Sequence, residues 1–355
     1  MHSKILTIAI PTLNRSTSLQ KVLSNISDIV ETYVLQADID VIIYDNASND
    51  DTANVGNTYS SRYDYVKYYQ SKYILSFDEN IKTFLDISDT KYVWVCNDHS
   101  GFVKEYIAQV VDYLKKNPNC SYFFIPQKGS LPLALEIFNN YHNGLTFINT
   151  LMNCNIFNRE KLLPYYDSHM AEFNNSWLLY LVANIDMVYS TKAEILLIPY
   201  ETILYGQYSD PSREKNSWSS DWNRYVHIGY SYSRMLQLMS QKHDIDKTFL
   251  KKIFRGRGWG MAAVNAYRVL RLKNMKMRFN SDIARTISDF PSYTFLNAIC
   301  IKTFVSGSKY SVMFVNALLF PIYAMPMVKV MAKRTKRILK KVFNPLALRI
   351  GLGPR

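Results

Sequence analysis

No glycine-rich loop occurs in this chain. Neither GxGxxG nor GxxxxGK[ST] is present, which excludes the dinucleotide fingerprint and the P-loop. HExxH and GxSxG are missing too, so a zinc protease or a nucleophile-elbow hydrolase has no foothold. Only four cysteines occur, Cys96, Cys120, Cys154 and Cys300, with no CxxC pair and no His/Cys cluster at zinc spacing; they are expected to be reduced, mostly buried thiols of a cytosolic protein. The N-terminus lacks a charged segment leading into a long apolar one, so no signal peptide is expected. Acid is nearly absent from the C-terminal part. Residues 251–355 hold 21 Lys/Arg against Asp282 and Asp289, a local charge of +19, while residues 1–250 hold 21 Lys/Arg and 27 Asp/Glu, a local charge of −6. That asymmetry points to a polyanionic partner for the C-terminal part.

What is present suits two structured units. The chain has 355 residues, 48% of them apolar, enough for sizeable cores. Residues 5–10 (ILTIAI) form a short apolar run ended by Pro11, which reads as a buried strand. Ser16 can cap a helix over 17–33, where Leu19, Val22, Leu23, Ile26, Ile29 and Val30 keep helical spacing. A second strand over 41–44 is cut off by Asp45-Asn46-Ala47-Ser48, and Asp50 and Asp51 suit the start of the next helix. Further strands are expected over 66–69, 91–96 and 121–125, with helices over 80–87 and 103–116. Beyond residue 130 the pattern is mixed, with strands expected over 146–157 and 195–198, a buried helix over 176–183, and an almost wholly helical stretch from 219 to 343. Repeated β-α-β units imply a doubly wound, mostly parallel sheet.

In such sheets ligands bind beyond the C-terminal strand ends. The polar segments 11–15, 45–48 and 97–100 all follow strands and are therefore expected on one rim. Asp45 can accept hydrogen bonds from a ribose hydroxyl or a base N–H, or can equally satisfy the backbone of its own turn. Asp98 beside His99 can hold a divalent cation that bridges a diphosphate; the other reading is an ordinary Asp turn with an exposed His.

Three segments together, ILTIAIPTLNR (5–15), DVIIYDNASNDDT (40–52) and KYVWVCNDHSGF (91–102), resemble glycosyltransferase family 2, and within it the O-antigen and capsule branch of abequosyltransferase-like enzymes. Order and spacing agree over about the first 105 residues. The resemblance implies a GT-A fold (Rossmann-like, mostly parallel) that binds a nucleotide-sugar, with a UDP-sugar favoured. Pro11, Thr12, Asn14 and Arg15 would line the base pocket and Asp45 would bind the nucleoside. Asn80, in LSFDENIKTF, and Asn97 would belong to the same donor site. Asp98 would take the place of the first acidic residue of the DXD-type motif, holding Mn or Mg together with His99. The sequence departs from the family pattern at Leu13, where Tyr is common, at Ser76-Phe77, at Asn97, and above all at Asp98-His99-Ser100, where only one carboxylate remains. Basic side chains or helix N-termini are the alternative means of stabilising a diphosphate there. An inverting transfer needs a base for the acceptor hydroxyl; Glu172 is the first candidate, Asp167 the second, with Asp186 after them. Each could equally be a solvated surface acid. A polar stretch, 206–219, is either a lid over the donor or a connection between units.

At about 100° per residue, residues 329–343 (KVMAKRTKRILKKVF) place Val330, Met331, Ile338, Leu339, Val342 and Phe343 on one side and most of seven cations on the other. That pattern suits a helix lying in an anionic membrane interface; the other reading is a surface helix packed on its own domain. The 17 preceding residues, 312–328, contain Asn316, Pro321 and Pro326, too short and broken for a full span. No nucleic-acid-binding motif accompanies the basic residues. The expectation is therefore a GT-A domain over 1–205, then a helical basic region over 206–355 with a membrane-associating segment at about 311–343. It describes a cytoplasmic enzyme, peripheral on the inner face of the cell membrane, that moves sugar to a lipid-linked saccharide acceptor. A disabled GT-A-like carbohydrate-binding or scaffold protein is the alternative.

Overall fold

The computed structural model describes residues 4–126, 152–192, 194–204 and 206–208, and from the helical stretch that follows 231, 234, 235 and 238–243. Elements run β1 (Leu6–Thr12), α1 (Ser16–Thr32), β2 (Ile39–Asp45), α2 (Thr52–Arg62), β3 (Val66–Gln70), α3 (Phe77–Ile87), β4 (Tyr92–Val95), β5 (Gly101–Phe102), α4 (Lys104–Lys116) and β6 (Tyr122–Phe124). After a 3-10 turn (Met152–Cys154) come β7 (Asn155–Asn158), α5 (Arg159–Phe173), α6 (Leu179–Thr191), β8 (Ile195–Leu197) and β9 (Ile203–Leu204). Among the described residues, seven strands form one sheet in the order β3-β2-β1-β4-β7-β6-β8, and β5 pairs with β9 apart from it.

Strands β1, β2 and β4 lie at the centre because both of their faces are apolar. Leu6, Ile8, Ala9, Ile10, Val41, Ile42, Ile43, Val93, Trp94 and Val95 are all buried, as strands covered by helices on both sides require. Helix α1 buries Leu19, Val22, Leu23, Ile26, Ile29 and Val30, the stripe its spacing predicts. Cys96, Cys120 and Cys154 are buried, free thiols. Among the described residues, no helix is long and apolar enough to cross a membrane. The basic segment 311–343 and most of 206–355 lie outside the described residues.

Several expectations need correction. The first strand does not stop at Pro11; it runs on to Thr12, with Pro11 opposite Tyr44 and Thr12 opposite Asp45. Alternate residues of β1 face alternate neighbours: the carbonyls of Ile5 and Ala9 accept from Tyr92 and Cys96 of the β4 side, while that of Thr12 accepts from Asn46. Pro11 therefore turns its missing N–H toward β4, which has already ended at Val95, and no ladder bond is lost. Ser16 is not the cap of α1 but its first residue. Asp50 takes the capping role from outside the helix, accepting from the Ser16 amide at 3.2 Å and the Ser16 hydroxyl at 3.1 Å. The same carboxylate accepts from the amide of Thr52 at the start of α2, so one side chain serves two helices. Burial pushes its pKa up, but the hydrogen bonds from Thr52 and Ser16 outweigh it and hold Asp50 below the ordinary value. The sheet is mostly parallel, but β7 runs antiparallel to both β4 and β6. Of the strand expected over 146–157, the described part is the 3-10 turn followed by Asn155–Asn158; residues 146–151 lie outside the description. The helix expected over 176–183 starts at Leu179 and extends to Thr191.

Gly56 of α2 shows how tightly the rim strands are supported. A Cβ there would lie 2.2 Å from Cδ2 and 2.9 Å from Cγ of Tyr68, too close for the ring of β3 to remain. The Tyr68 hydroxyl donates to Asp45 at 2.9 Å. Gly56→Ala gains about 1 kcal/mol of helix propensity against about 1–3 kcal/mol of overpacking. The expected result is a lower midpoint of thermal unfolding; an unchanged or raised midpoint would show that the Tyr68 ring moves aside freely.

Candidate functional site

The C-terminal ends of β1, β2 and β4 bring three loops to one rim, and the side chains interlock. Asn14, held at φ 54°, donates its amide to the Ser48 hydroxyl at 2.8 Å and accepts from the Asn49 amide at 2.8 Å. A left-handed backbone is one of the few unusual conformations that Asn tolerates. The Arg15 amide donates to Thr52 Oγ1 at 3.2 Å. Asn46 grips the loop after β3 from both sides, donating to the Leu75 carbonyl at 3.0 Å and accepting from the Leu75 amide at 2.7 Å.

Asp45 and Asp98 flank Thr12. Asp45 is fully buried, at the end of β2 opposite Thr12. Its carboxylate accepts from the Ser48 amide at 2.8 Å, the Tyr68 hydroxyl at 2.9 Å and Gln70 Nε2 at 3.4 Å. It braces its own turn and the neighbouring strand at once. On the far side of β1, Asp98 is 3% exposed and accepts from the Thr12 hydroxyl at 2.9 Å. Arg15 Nη1 lies 2.7 Å from the other Asp98 oxygen and 3.0 Å from His99 Nδ1. With Nη1 donating to both, His99 Nδ1 is an acceptor, and its 3.1 Å approach to Asp98 is a contact rather than a second donation. Pro11 and Asn97 are half-buried on the same rim. The two carboxylates named from sequence therefore share one sheet edge, and Arg15, read as lining a base pocket, directs its guanidinium at Asp98.

The loop over 206–208 closes on this edge. The Tyr208 amide donates to the His99 carbonyl at 3.0 Å, and Gln207 Oε1 lies 2.0 Å from where a Cβ on Gly101 would be. These three residues begin the polar stretch read as either a lid over the donor or a connection between units; residues 209–219 lie outside the description.

Asn80 sits in α3, 6% exposed. Its amide donates to the Ser76 carbonyl at 3.1 Å, and its buried Oδ1 has no hydrogen-bond partner among the described residues. The structure ties neither Asp167 nor Glu172 to the Thr12–Arg15–Asp98 group. Both lie on α5 in surface ion pairs, Asp167 with Lys82 at 3.2 Å and Glu172 with Arg234 at 2.7 Å.

Sequence reasoning missed Asp78. This fully buried carboxylate of α3 accepts from the amides of Trp177 at 2.9 Å and Leu179 at 3.3 Å, and from that of Ser176, capping α6 across about a hundred residues of sequence. Burial pushes its pKa up to about 7, against the pull of those amides. It braces a segment in which Asn175 and Trp177 both adopt left-handed backbone, φ 63° and 65°, with Trp177 stacked on Phe77 at 4.8 Å. Beside it, Ser76 and Glu79 form a capping box that Asn174 locks, accepting from Ser76 Oγ at 2.9 Å and donating to Glu79 at 3.3 Å. The departure at Ser76-Phe77 thus supplies a helix cap and a stacking ring. Its sequence signal was the S-x-x-E spacing, Ser76 to Glu79.

The donor set does not fit a divalent cation as the residues stand. Asp98 is the one carboxylate pointing into the rim beside His99, both of its oxygens are engaged, and one already faces a cation. Among the described residues no group of three or more His, Cys, Asp or Glu is arranged to hold a metal ion.

Residues 7–158 match the family model described as Glycosyl transferase family 2. The fold is similar to that of TarS from S. aureus, solved in complex with UDP-GlcNAc, with a TM-score of 0.54 and 9% identity over 88% of this chain and 90% of that one. It is also similar to the mannosyltransferase PcManGT from Pyrobaculum calidifontis, solved with GDP-Man and Mn2+, with a TM-score of 0.51 and 10% identity over 90% of this chain and 87% of that one. No curated protein matches the chain in sequence. The architecture, a mostly parallel seven-stranded sheet between helices, is the GT-A fold.

Proposed function

We propose that this chain is a family 2 glycosyltransferase that moves a sugar from a nucleoside diphosphate to a saccharide acceptor. One observation carries the reading: Asp45 and Asp98 stand on either side of Thr12 at the C-terminal edge of the sheet, where ligands of open α/β sheets bind. The match over residues 7–158 and the nucleotide-sugars held by TarS and PcManGT support it. Chemically, the rim orients the donor and the Arg15 guanidinium meets negative charge on the departing diphosphate. The finer reading keeps a lipid-linked saccharide of surface polysaccharide synthesis as acceptor, because the basic amphipathic pattern of 329–343 suits an anionic membrane.

Thermal unfolding with UDP-, GDP-, CDP- and dTDP-sugars tests the core of the proposal. One donor class is expected to raise the midpoint by several degrees, since ligand at about 100 times its dissociation constant adds about 2.7 kcal/mol. The stabilising donor should also be hydrolysed slowly or transferred. Stabilisation without turnover selects a carbohydrate-binding protein, and no shift with any donor removes the nucleotide-sugar reading. Full-length protein should co-sediment with anionic liposomes and not with neutral ones.

A further inference from the structure

We propose that Arg15, anchored on Asp98, is the fixed positive charge that faces the donor diphosphate, so that the nucleotide binds without a divalent cation. This rests on the nucleotide-sugar reading above and goes beyond it by naming what replaces the metal. The two members of the ion pair differ sharply in position: the Asp98 side chain is 4% exposed, the Arg15 side chain 41%. The pair is neutral as a whole, yet its negative end is buried and its positive end is turned toward solvent at the rim. A ligand arriving there meets the guanidinium first.

The bonding supports the same assignment. Asp98 receives the Thr12 hydroxyl on one oxygen and Arg15 Nη1 on the other. Thr12 is 3% exposed and fixed by strand register opposite Asp45, so the anchor is set by the central sheet rather than by a loop. Nη1 makes both contacts, to Asp98 and to His99, and toward the described residues it is the one nitrogen of the Arg15 guanidinium that is engaged. The rest of the planar fork is left to face phosphate oxygens, which it matches in geometry. A divalent ion would have to displace this cation and then find its remaining ligands where one carboxylate stands. Asp98 thus positions Arg15, and the role that two acidic residues would fill with a metal passes to a side chain.

Titration calorimetry on the full-length protein, using UDP, GDP, CDP and dTDP in EDTA-treated buffer and again with Mn2+, reads the inference directly. The expected result is one nucleotide whose dissociation constant changes by less than about two-fold on adding Mn2+, and no nucleotide-dependent Mn2+ binding in electron paramagnetic resonance. Arg15→Ala should weaken that nucleotide by about ten-fold or more, a loss typical of a charge-assisted pair, with no rescue by Mn2+, while Arg15→Lys should recover part of it. Tightening of the wild type by ten-fold or more with Mn2+, abolished in Asp98→Asn, would overturn the inference and leave the transferase reading standing. Absence of binding by all four nucleotides in both buffers would sink that reading, and this one with it.

Discussion

Replacing Asp186 by alanine is expected to destabilise the protein by about 3–5 kcal/mol, the cost of breaking a buried ion pair from one side. Asp186 lies in α6, fully buried, and gathers partners from three places. His169 Nε2 of α5 approaches at 2.7 Å, Lys242 Nζ at 2.6 Å, His243 Nε2 at 2.8 Å, and Ser190 of its own helix at 3.1 Å. The His169 and His243 side chains are 9% and 10% exposed, so without the carboxylate two buried imidazoles lose an acceptor, whereas Lys242, 47% exposed, turns to water. Residues 238–243 would lose their tie to α5 and α6, and amide exchange there should accelerate more than in β1 or β2. Acid should act in the same direction. Burial alone would raise the Asp186 pKa, but the hydrogen bonds from Lys242, His169 and His243 prevail and bring it to about 2. A depressed carboxylate contributes stability that is complete above its unfolded value of about 3.9 and lost as pH falls toward 2, here about 2.6 kcal/mol. Chemical denaturation across that window measures it. A midpoint for Asp186→Ala within experimental error of the wild type would remove the cluster as a structural tie.

Much of this architecture could be read from residues because its signals were local. Runs such as ILTIAI and VIIY, almost wholly apolar and without a polar face, read as central strands with helices on both faces, and that placed 11–15, 45–48 and 97–100 on one edge. Direction was not legible for β7. NIFN offers four residues, all buried, and reads the same whichever way the strand runs. Helix α5 was missed for a different reason. Its buried positions, Leu162, Tyr166, His169 and Phe173, keep helical spacing only if His169 is counted as interior, and it is interior because Asp186 neutralises the cost of burying it. Pro164 inside the helix hid the pattern further. Arg15 was visible as a residue of the first loop, but its aim at Asp98 is a property of two strand ends 83 positions apart. Asp78 and the 174–179 segment show the same limit: a helix N-terminus capped from another element leaves no local signature beyond a polar residue among apolar ones.

That hidden cap carries the second large effect. Asp78→Ala is expected to cost about 2–4 kcal/mol, because the amides of Trp177 and Leu179 lose the acceptor that Asp78 supplies, while that of Ser176 keeps the Phe173 carbonyl. The left-handed segment that presents Trp177 would lose its brace. Asp78→Asn separates charge from shape, since it keeps an acceptor oxygen and removes the ionisation. Burial lifts the Asp78 pKa to about 7, so the folded state disfavours the carboxylate form. The favourable balance is fully present below the unfolded value of about 3.9 and is lost as pH rises through 7, about 4 kcal/mol over the window. Wild-type protein should therefore lose stability relative to Asp78→Asn between pH 4 and pH 7, and the two curves should run parallel above about pH 8. Denaturation midpoints of both proteins at successive pH values decide it. Curves that stay parallel from pH 4 upward would mean that the three amides hold Asp78 ionised throughout, and that the segment bearing Trp177 is fixed by an ordinary charged cap.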